Sequence, residues 1–418
     1  MSQKIRIGVF GVGRGAYLAR CFMLSDAEIV ALCDSHPARL AKAAAKLPSA
    51  ALYESFDEFI EHDGMDAVIL ANYFHEHTPY AIRCLEKGIH VFSECIANGT
   101  MAEGVALIRA AEKSSAIYML AENYPFMRFN QEIRRVCETG TLGRILYAEG
   151  EYNHPTSPFD TSFQKEYVYS TEHWRNYLPR SYYVTHSLAP IMYASGATPK
   201  RVTAMAVFDD TRADDIPTAR YCADRVTVMM TQNDDGSIFR FTGCAGFGGH
   251  HNAYRVCGVN GSIENFRGTS GRMMLRYNDW ARPEGMEEVN EYTAVWNKSP
   301  ELKELIEKTG HGGGDFLVCR EFLDCIEEGR QPSHPFDVHS AVTMASVAIL
   351  AHRSMLEGSR PYDIPDFHSE ADRKLYENDR LTPFPGPNGE APTLPCCSVT
   401  DFAPTERQVE AFKKLIAD

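Results

Sequence analysis

The first strand of this chain runs directly into a glycine-rich turn, and that junction restricts the fold more than any other stretch. Ile5-Arg6-Ile7-Gly8-Val9-Phe10 reads as a buried strand, Gly11-Val12-Gly13-Arg14-Gly15-Ala16 follows, and a helix is expected from about Ala16 to Leu24. A strand, a GxGxxA turn and a helix in this order form a dinucleotide-binding fingerprint. Gly11 permits the tight turn, Gly13 lets the backbone approach a pyrophosphate, and Ala16 is small enough for close helix–strand packing. The helix N-terminus then turns unpaired N–H groups toward the phosphates. Asp34, at the end of the second expected strand, supplies a carboxylate for the ribose 2′-hydroxyl and repels a 2′-phosphate, so the expected cofactor is NAD.

Beyond this turn, apolar strands at 28–33, 67–71, 90–92 and 117–121 alternate with amphipathic helices at 38–47, 79–87 and 102–113. Continuous apolar strands separated by helices imply a parallel sheet covered on both faces. The fold class is therefore α/β, with an N-terminal Rossmann, doubly wound parallel sheet over residues 1–122. From Asn123 the pattern changes. A helix at 129–138 leads into strand candidates at 145–152, 201–207, 225–232, 237–242, 254–259 and 273–277. Short turns such as Asn233-Asp234-Asp235-Gly236 and Asn260-Gly261 favour antiparallel hairpins. Residues 123–365 should form an α/β domain for substrate binding and oligomerisation. It should hold a large, mostly antiparallel open sheet with helices on one face, including long helices near 315–328 and 338–356. Residues 366–418 read as a Pro-rich C-terminal arm ending in a helix at 405–415, laid over the domain or a neighbouring subunit.

Composition narrows the partners. The length of 418 residues suits two cores, and the formal net charge of −14 repels phosphate backbones and anionic lipid. Neither nucleic acid nor membrane is expected as a partner, and no apolar run approaches the ~20 residues of a bilayer span. Met1-Ser2-Gln3-Lys4 leads straight into strand-like sequence, which leaves no room for a signal peptide. The 12 cysteines include no CxxC pair, and many fall in apolar patterns where a thiol acts as a small hydrophobe, so a reducing cytoplasm is expected. His250-His251 and His311 raise the question of a metal. Adjacent histidines on a strand point to opposite faces, and nothing stands at familiar zinc spacing, so no metal is expected. Asp209-Asp210 and Asp234-Asp235 read as solvated turns.

Over residues 4 to 365 the chain resembles the glucose–fructose oxidoreductase / inositol dehydrogenase / rhizopine-catabolism (Gfo/Idh/MocA) oxidoreductases. The carriers are Gly11–Ala16, Ala71-Asn72-Tyr73-Phe74-His75-Glu76-His77, Gly88-Ile89-His90-Val91-Phe92-Ser93-Glu94, Gly140-Thr141-Leu142-Gly143-Arg144-Ile145 and His311-Gly312-Gly313-Gly314-Asp315-Phe316. The resemblance implies a Rossmann domain plus an α/β domain whose open sheet often mediates oligomerisation, here a dimer or tetramer, and a small carbohydrate or glycoside substrate. It also assigns cofactor contacts to Gly11, Gly13, Arg14, Gly15, Ala16 and Asp34, and to Asn72, His77, Glu94 and Asn123. Two departures stand out. Where the family usually carries Glu-Lys-Pro this chain has Glu94-Cys95-Ile96, and where an Asp usually lies four residues before the catalytic His it has Tyr182 before His186. The stretch Tyr183-Val184-Thr185-His186-Ser187-Leu188-Ala189-Pro190 instead resembles a subgroup, the NAD-dependent glycosidases typified by α-N-acetylgalactosaminidase. Trp174-Arg175 and Ala148-Glu149-Gly150-Glu151-Tyr152-Asn153-His154 match the same subgroup.

Hydride removal from a secondary alcohol requires a base for the hydroxyl proton, and His186, at the family's catalytic-His position, is the candidate. Tyr183 and Tyr152 are candidates to steady the oxyanion or to take the adjacent ring proton. Trp174, Arg175, His154 and His311 are candidate substrate contacts, with His173 in the same aromatic, polar cluster. His77 either touches the cofactor edge or caps its helix, and Cys95 reads mainly as a packing residue. The His311 segment is a substrate contact, a flexible loop or a helix start capped by Asp315. The leading expectation is an NAD-dependent carbohydrate oxidoreductase that abstracts hydride from a ring carbon. One alternative is a redox-neutral glycosidase working by transient oxidation, elimination, hydration and re-reduction; another is a non-catalytic NAD- or sugar-sensing protein.

Overall fold

The computed structural model describes residues 4–157, 160–210, 216–269 and 271–417. Met1-Ser2-Gln3, read above as leading into the first strand, lies outside the described residues. Strands β1 (Arg6–Phe10), β2 (Glu28–Cys33), β3 (Ala51–Tyr53), β4 (Ala67–Leu70), β5 (His90–Ser93) and β6 (Tyr118–Leu120) form one sheet in the order β3-β2-β1-β4-β5-β6. Every neighbouring pair in it is parallel. Its central strands are buried on both faces, as their continuous apolar runs require. β3 is an edge strand that the sequence reading omitted: its three residues are at most half-buried and too few to carry a period.

The helix after β1 spans Val12–Leu24 and so begins four residues earlier than expected, with Gly11 as its N-cap in the left-handed region at φ 88°. One face of this domain closes against a helix from far down the chain, Gly314–Glu328. Phe322 of that helix meets Phe22 and Phe92 edge-on or tilted, at ring separations of 6.0 and 5.2 Å.

The second sheet has nine strands: β7 (Ile145–Asn153), β8 (Pro199–Phe208), β9 (Asp224–Asn233), β10 (Ile238–Thr242), β11 (His251–Gly258), β12 (Gly261–Asn265), β13 (Arg272–Tyr277), β14 (Val289–Thr293) and β15 (Tyr362–Asp363). Their order is β14-β13-β12-β11-β7-β10-β9-β8-β15, antiparallel throughout except for the parallel pair β7–β10. The hairpins expected at Asn233–Gly236 and Asn260-Gly261 join β9 to β10 and β11 to β12. Inward residues such as Val202, Ala204, Met229, Phe239 and Phe241 are buried. Helices Thr185–Ser195 and Val338–Leu356 lie against that face, the latter started by Asp337, whose carboxylate accepts from the His339 and Ser340 N–H groups. The arm folds back over its own domain: His352 bonds the Pro395 carbonyl, and Phe412 of helix Glu406–Ala417 packs against Val168 and Ala219.

Candidate active site

A cleft of about 1730 Å³ lies between the carboxyl ends of the parallel strands and the second domain. Gly11, Asp34, Asn72, Glu94 and Asn123 line it from one side, and Tyr152, Arg175, Tyr183, His186 and His311 from the other. Ligands in open α/β sheets bind at such carboxyl ends.

The cofactor half follows from the turn after β1. A Cβ on Gly13 would meet nothing within 4 Å, so its backbone borders open space, whereas a Cβ on Gly15 would lie 2.6 Å from Val9 Cγ1. Close helix–strand packing therefore belongs to Gly15, and Ala16, assigned that task above, lines the cleft instead. Asp34 is held in place by accepting the Val12 N–H (3.0 Å) and the His36 N–H (2.9 Å). Asn72 Oδ1 and His77 Nε2 are buried and find no hydrogen-bond partner among the described residues, polar atoms that a bound dinucleotide can satisfy. The residues present fit NAD.

Several expected contacts take different partners. His77 opens its helix without capping it; its ring Nδ1 pairs with the Ile96 carbonyl at 3.0 Å, and burial keeps the imidazole neutral. Arg14, which lines the cleft, bridges two carboxylates, Glu94 at 2.9 Å and Asp315. Asp315 also takes Asn123 Nδ2 and His311 Nδ1, each at 2.7 Å. Burial would raise the Asp315 carboxyl, but the bonds from His311 and Arg14 hold it well below the usual range. Asp315 is not a cap: Gly313, in the left-handed region at φ 92°, holds the N-cap position of helix Gly314–Glu328.

The substrate half centres on His186. Gly150 on β7 lets the helix Thr185–Ser195 approach, since a Cβ there would lie 2.0 Å from the Ser187 carbonyl oxygen. The His186 ring stacks on Tyr124 at 4.0 Å, and its Nδ1 lies 2.9 Å from both carboxylate oxygens of Glu122. Glu122 is 1% exposed. Burial would raise its pKa, but His186, Thr185 and the Tyr124 N–H together hold it below the ordinary value, so it stays ionised. The sequence reading missed Glu122. The available signal was its position one residue before Asn123 and two beyond β6, at the carboxyl edge of the sheet where Asp34 and Glu94 also stand.

Tyr152 and Tyr183 meet His186 edge-on at 4.9 and 5.1 Å, and burial pushes both phenols far up, so each remains a proton donor. Trp174 stacks on Phe74 at 4.9 Å, and the Arg175 guanidinium lies 4.3 Å from the Trp174 ring. His154 stacks against Tyr152 and pairs with His250, their Nδ1 atoms 3.0 Å apart. His173 is buried, accepts the Arg175 N–H and is driven down to about 3 by burial, so it is a neutral structural ring. Cys95 lines the cleft as a neutral thiol, pushed up by burial and by Glu94 and Glu122.

Residues 5–122 match the family model for the NAD-binding Rossmann fold of the Gfo/Idh/MocA oxidoreductases, and residues 224–372 match that for the C-terminal domain of glycosyl hydrolase family 109. The chain thus joins a nucleotide domain similar to that of the Gfo/Idh/MocA oxidoreductases to a second domain similar to that of glycosyl hydrolase family 109. Its N-terminal domain is accordingly an NAD-binding Rossmann domain. Among similar proteins, a glycosyl hydrolase family 109 protein of Solibacter usitatus is 26% identical, with 87% of this chain and 88% of that one covered. Another, from Shewanella sp. strain ANA-3, is 25% identical over 87% and 85% of the two chains. Among solved structures, levoglucosan dehydrogenase in complex with NADH and levoglucosan superposes with a TM-score of 0.68 at 19% identity, over 87% of this chain and 100% of that one. An oxidoreductase from Agrobacterium radiobacter in complex with NAD+ and L-tartaric acid gives 0.67 at 15% identity, over 86% and 98%.

Within this Gfo/Idh/MocA frame, one segment of the second domain crosses the cleft to the nucleotide domain. Tyr169 sets its hydroxyl 3.1 Å from that of Tyr73, and the Arg39 guanidinium lies 3.8 Å over its ring. His173 meets Tyr73 edge-on at 5.1 Å, so residues 169–174 form a strap beside the cofactor half of the cleft.

Proposed function

We propose that this protein is a redox-neutral, NAD-dependent glycosidase acting on a small carbohydrate glycoside. The observation that carries this reading is the set of groups around His186: one imidazole backed by a buried carboxylate, two phenols held protonated, and a neutral Cys95 where the family usually has Lys. The names of the family 109 relatives support it. When bound, NAD accepts a hydride from a ring carbon and later returns it.

The chain's own residues supply the proton chemistry. With Nδ1 donating to Glu122, His186 leaves Nε2 to take the hydroxyl proton, and the ionised Glu122 stabilises the imidazolium that results. The ketone formed would acidify the neighbouring ring C–H; once His186 has passed the first proton to solvent it can take this second one, the aglycone leaves, and water adds across the resulting enone before the ketone is reduced again. A phenol donor stabilises the oxygen as charge develops there, the task Lys performs elsewhere, and a second phenol can protonate the departing oxygen. Tyr183 and Tyr152 fit these two tasks. Trp174 offers a flat apolar surface, with Arg175, His154 and His311 as polar contacts for a sugar.

The match of the N-terminal domain to the Gfo/Idh/MocA oxidoreductases favours a second reading, a net carbohydrate dehydrogenase, which shares the first step but releases reduced cofactor. Incubation with a glycoside panel in heavy water separates the readings, with sugar release and NADH absorbance recorded together. Sugar release without net NADH, and deuterium on the carbon next to the oxidised one, is the expected outcome. NADH accumulating mole for mole with no deuterium there establishes the dehydrogenase; neither product with any glycoside, despite NAD binding, points to a sensor.

We also place the enzyme in a reducing cytoplasm, in keeping with the free thiols of all 12 cysteines, and as a homo-oligomer. Met205, Val207, Met230 and Ile238 stand exposed on the sheet face turned away from the helices, an apolar surface suited to a second copy. No helix among the described residues is long and apolar enough to cross a membrane.

A further inference from the structure

The C-terminal arm meets the cleft wall at a group of side chains that the proposed reaction leaves unused. Among the described residues, Cys222, Asp224 and Cys397 form the one group of three potential metal ligands, with donor atoms all within 4.8 Å of one another. Cys222 lines the cleft, Asp224 opens β9, and Cys397 belongs to the arm. Asp224 and Cys397 are buried at 1% and 2% exposure. Asp224 accepts the Ser398 N–H (2.9 Å) and its hydroxyl, and Cys397 Sγ lies 3.6 Å from Asp224 Oδ1. A tetrahedral zinc with bonds of ~2.3 Å to sulfur and ~2.0–2.2 Å to oxygen separates those two ligand atoms by about 3.6 Å. Cys222 and Cys397 also hydrogen-bond to each other, which places both sulfurs on the same side of Asp224.

We propose that Cys222, Asp224 and Cys397 form a zinc site, completed by a water from the cleft, that staples the C-terminal arm to the cleft wall. Two thiolates and a carboxylate suit zinc over magnesium or calcium, which take oxygen ligands. On binding, two S–H bonds break, two Zn–S bonds form, and the protons leave to solvent; nothing is oxidised or reduced. The ligand set and ion together carry one net negative charge. Arg180 is placed to offset it, since its Nε donates to the Asp224 carbonyl at 2.8 Å and it lines the cleft beside Cys222. The exposed side of Cys222 provides the entry path and the open fourth position.

The test uses the full chain, reduced with a phosphine, loaded with zinc or cobalt(II) under anaerobic conditions and desalted. One equivalent of zinc should be retained, and the cobalt form should show a sulfur-to-cobalt charge-transfer band with intense tetrahedral d–d bands. Cys222→Ser and Cys397→Ser should each lower retention by about tenfold or more, whereas Cys257→Ser on β11 should retain the full equivalent. Independently of any variant, zinc should slow proteolysis of the arm in the native chain by about tenfold, reversed by a chelator. Absence of retained metal overturns the site, as does equal retention in the Cys222→Ser/Cys397→Ser double variant. A Cys222–Cys397 disulfide in protein isolated under air, with no metal bound after reduction, overturns it as well. Zinc retention that leaves arm cleavage unchanged refutes the staple.

Discussion

In the proposed reaction His186 is oriented by a residue 64 positions away. The position four residues before it holds Tyr182, which is fully buried and meets His352 and Phe384 edge-on, so it packs the core rather than orienting the imidazole. Glu122 supplies the carboxylate from the end of β6. His186→Ala should lower turnover by roughly 100-fold or more, the scale of losing a positioned acid–base group, with NAD affinity unchanged by calorimetry. Glu122→Gln keeps the shape and a hydrogen bond but not the charge opposite the imidazolium. It should cost at least about tenfold in kcat with little change in KM, because the lost interaction strengthens only as the proton moves. Tyr152→Phe should abolish activity while leaving the melting temperature within a few degrees, since the ring keeps its packing and only a hydroxyl is removed.

At the scale of elements, the strap around Tyr169 joins the two domains beside the nucleotide. An enzyme that returns its hydride has no need to exchange cofactor, and the Tyr73–Tyr169 hydrogen bond and the Arg39–Tyr169 contact both oppose opening of the cleft. Each such contact contributes on the order of 1 kcal/mol. Tyr169→Ala should therefore speed NAD dissociation by about tenfold or more, measured by displacement of bound NAD from protein purified without added nucleotide. An unchanged off-rate would leave the strap a structural contact only.

For the whole molecule, Glu76 couples stability to pH. This carboxyl, at the N-cap of helix His77–Glu86, is raised to about 7 by burial and by Glu103. Below its unfolded value of ~4.5 the carboxyl is protonated in both states, and its contribution to stability is fully present. As the pH rises through about 7 the folded chain has to ionise a partly buried group that the unfolded chain ionised earlier, and that contribution is lost. Glu76→Gln should melt with the native chain at pH 4.5 and above it at pH 8. Parallel melting curves across that range would exclude Glu76 as the source of the slope.

What was legible in the sequence is what local chemistry decides. Apolar runs, the Gly11–Ala16 turn and Asp34 determine a parallel sheet with a dinucleotide at its carboxyl edge, because strand period, turn chemistry and helix starts depend on residues a few places apart. The Asn233–Gly236 and Asn260-Gly261 turns likewise announce their hairpins. β3 and the polar, half-exposed β14 escaped because neither carries a clear buried face. Only the tertiary structure decided that Glu122 meets His186, that Arg14 bridges Glu94 and Asp315, and that helix Gly314–Glu328 completes the nucleotide domain's core. It also decided that Cys222, Asp224 and Cys397 converge. Each of those pairings joins segments distant along the chain, and no short-range period records which distant partner the topology will bring alongside.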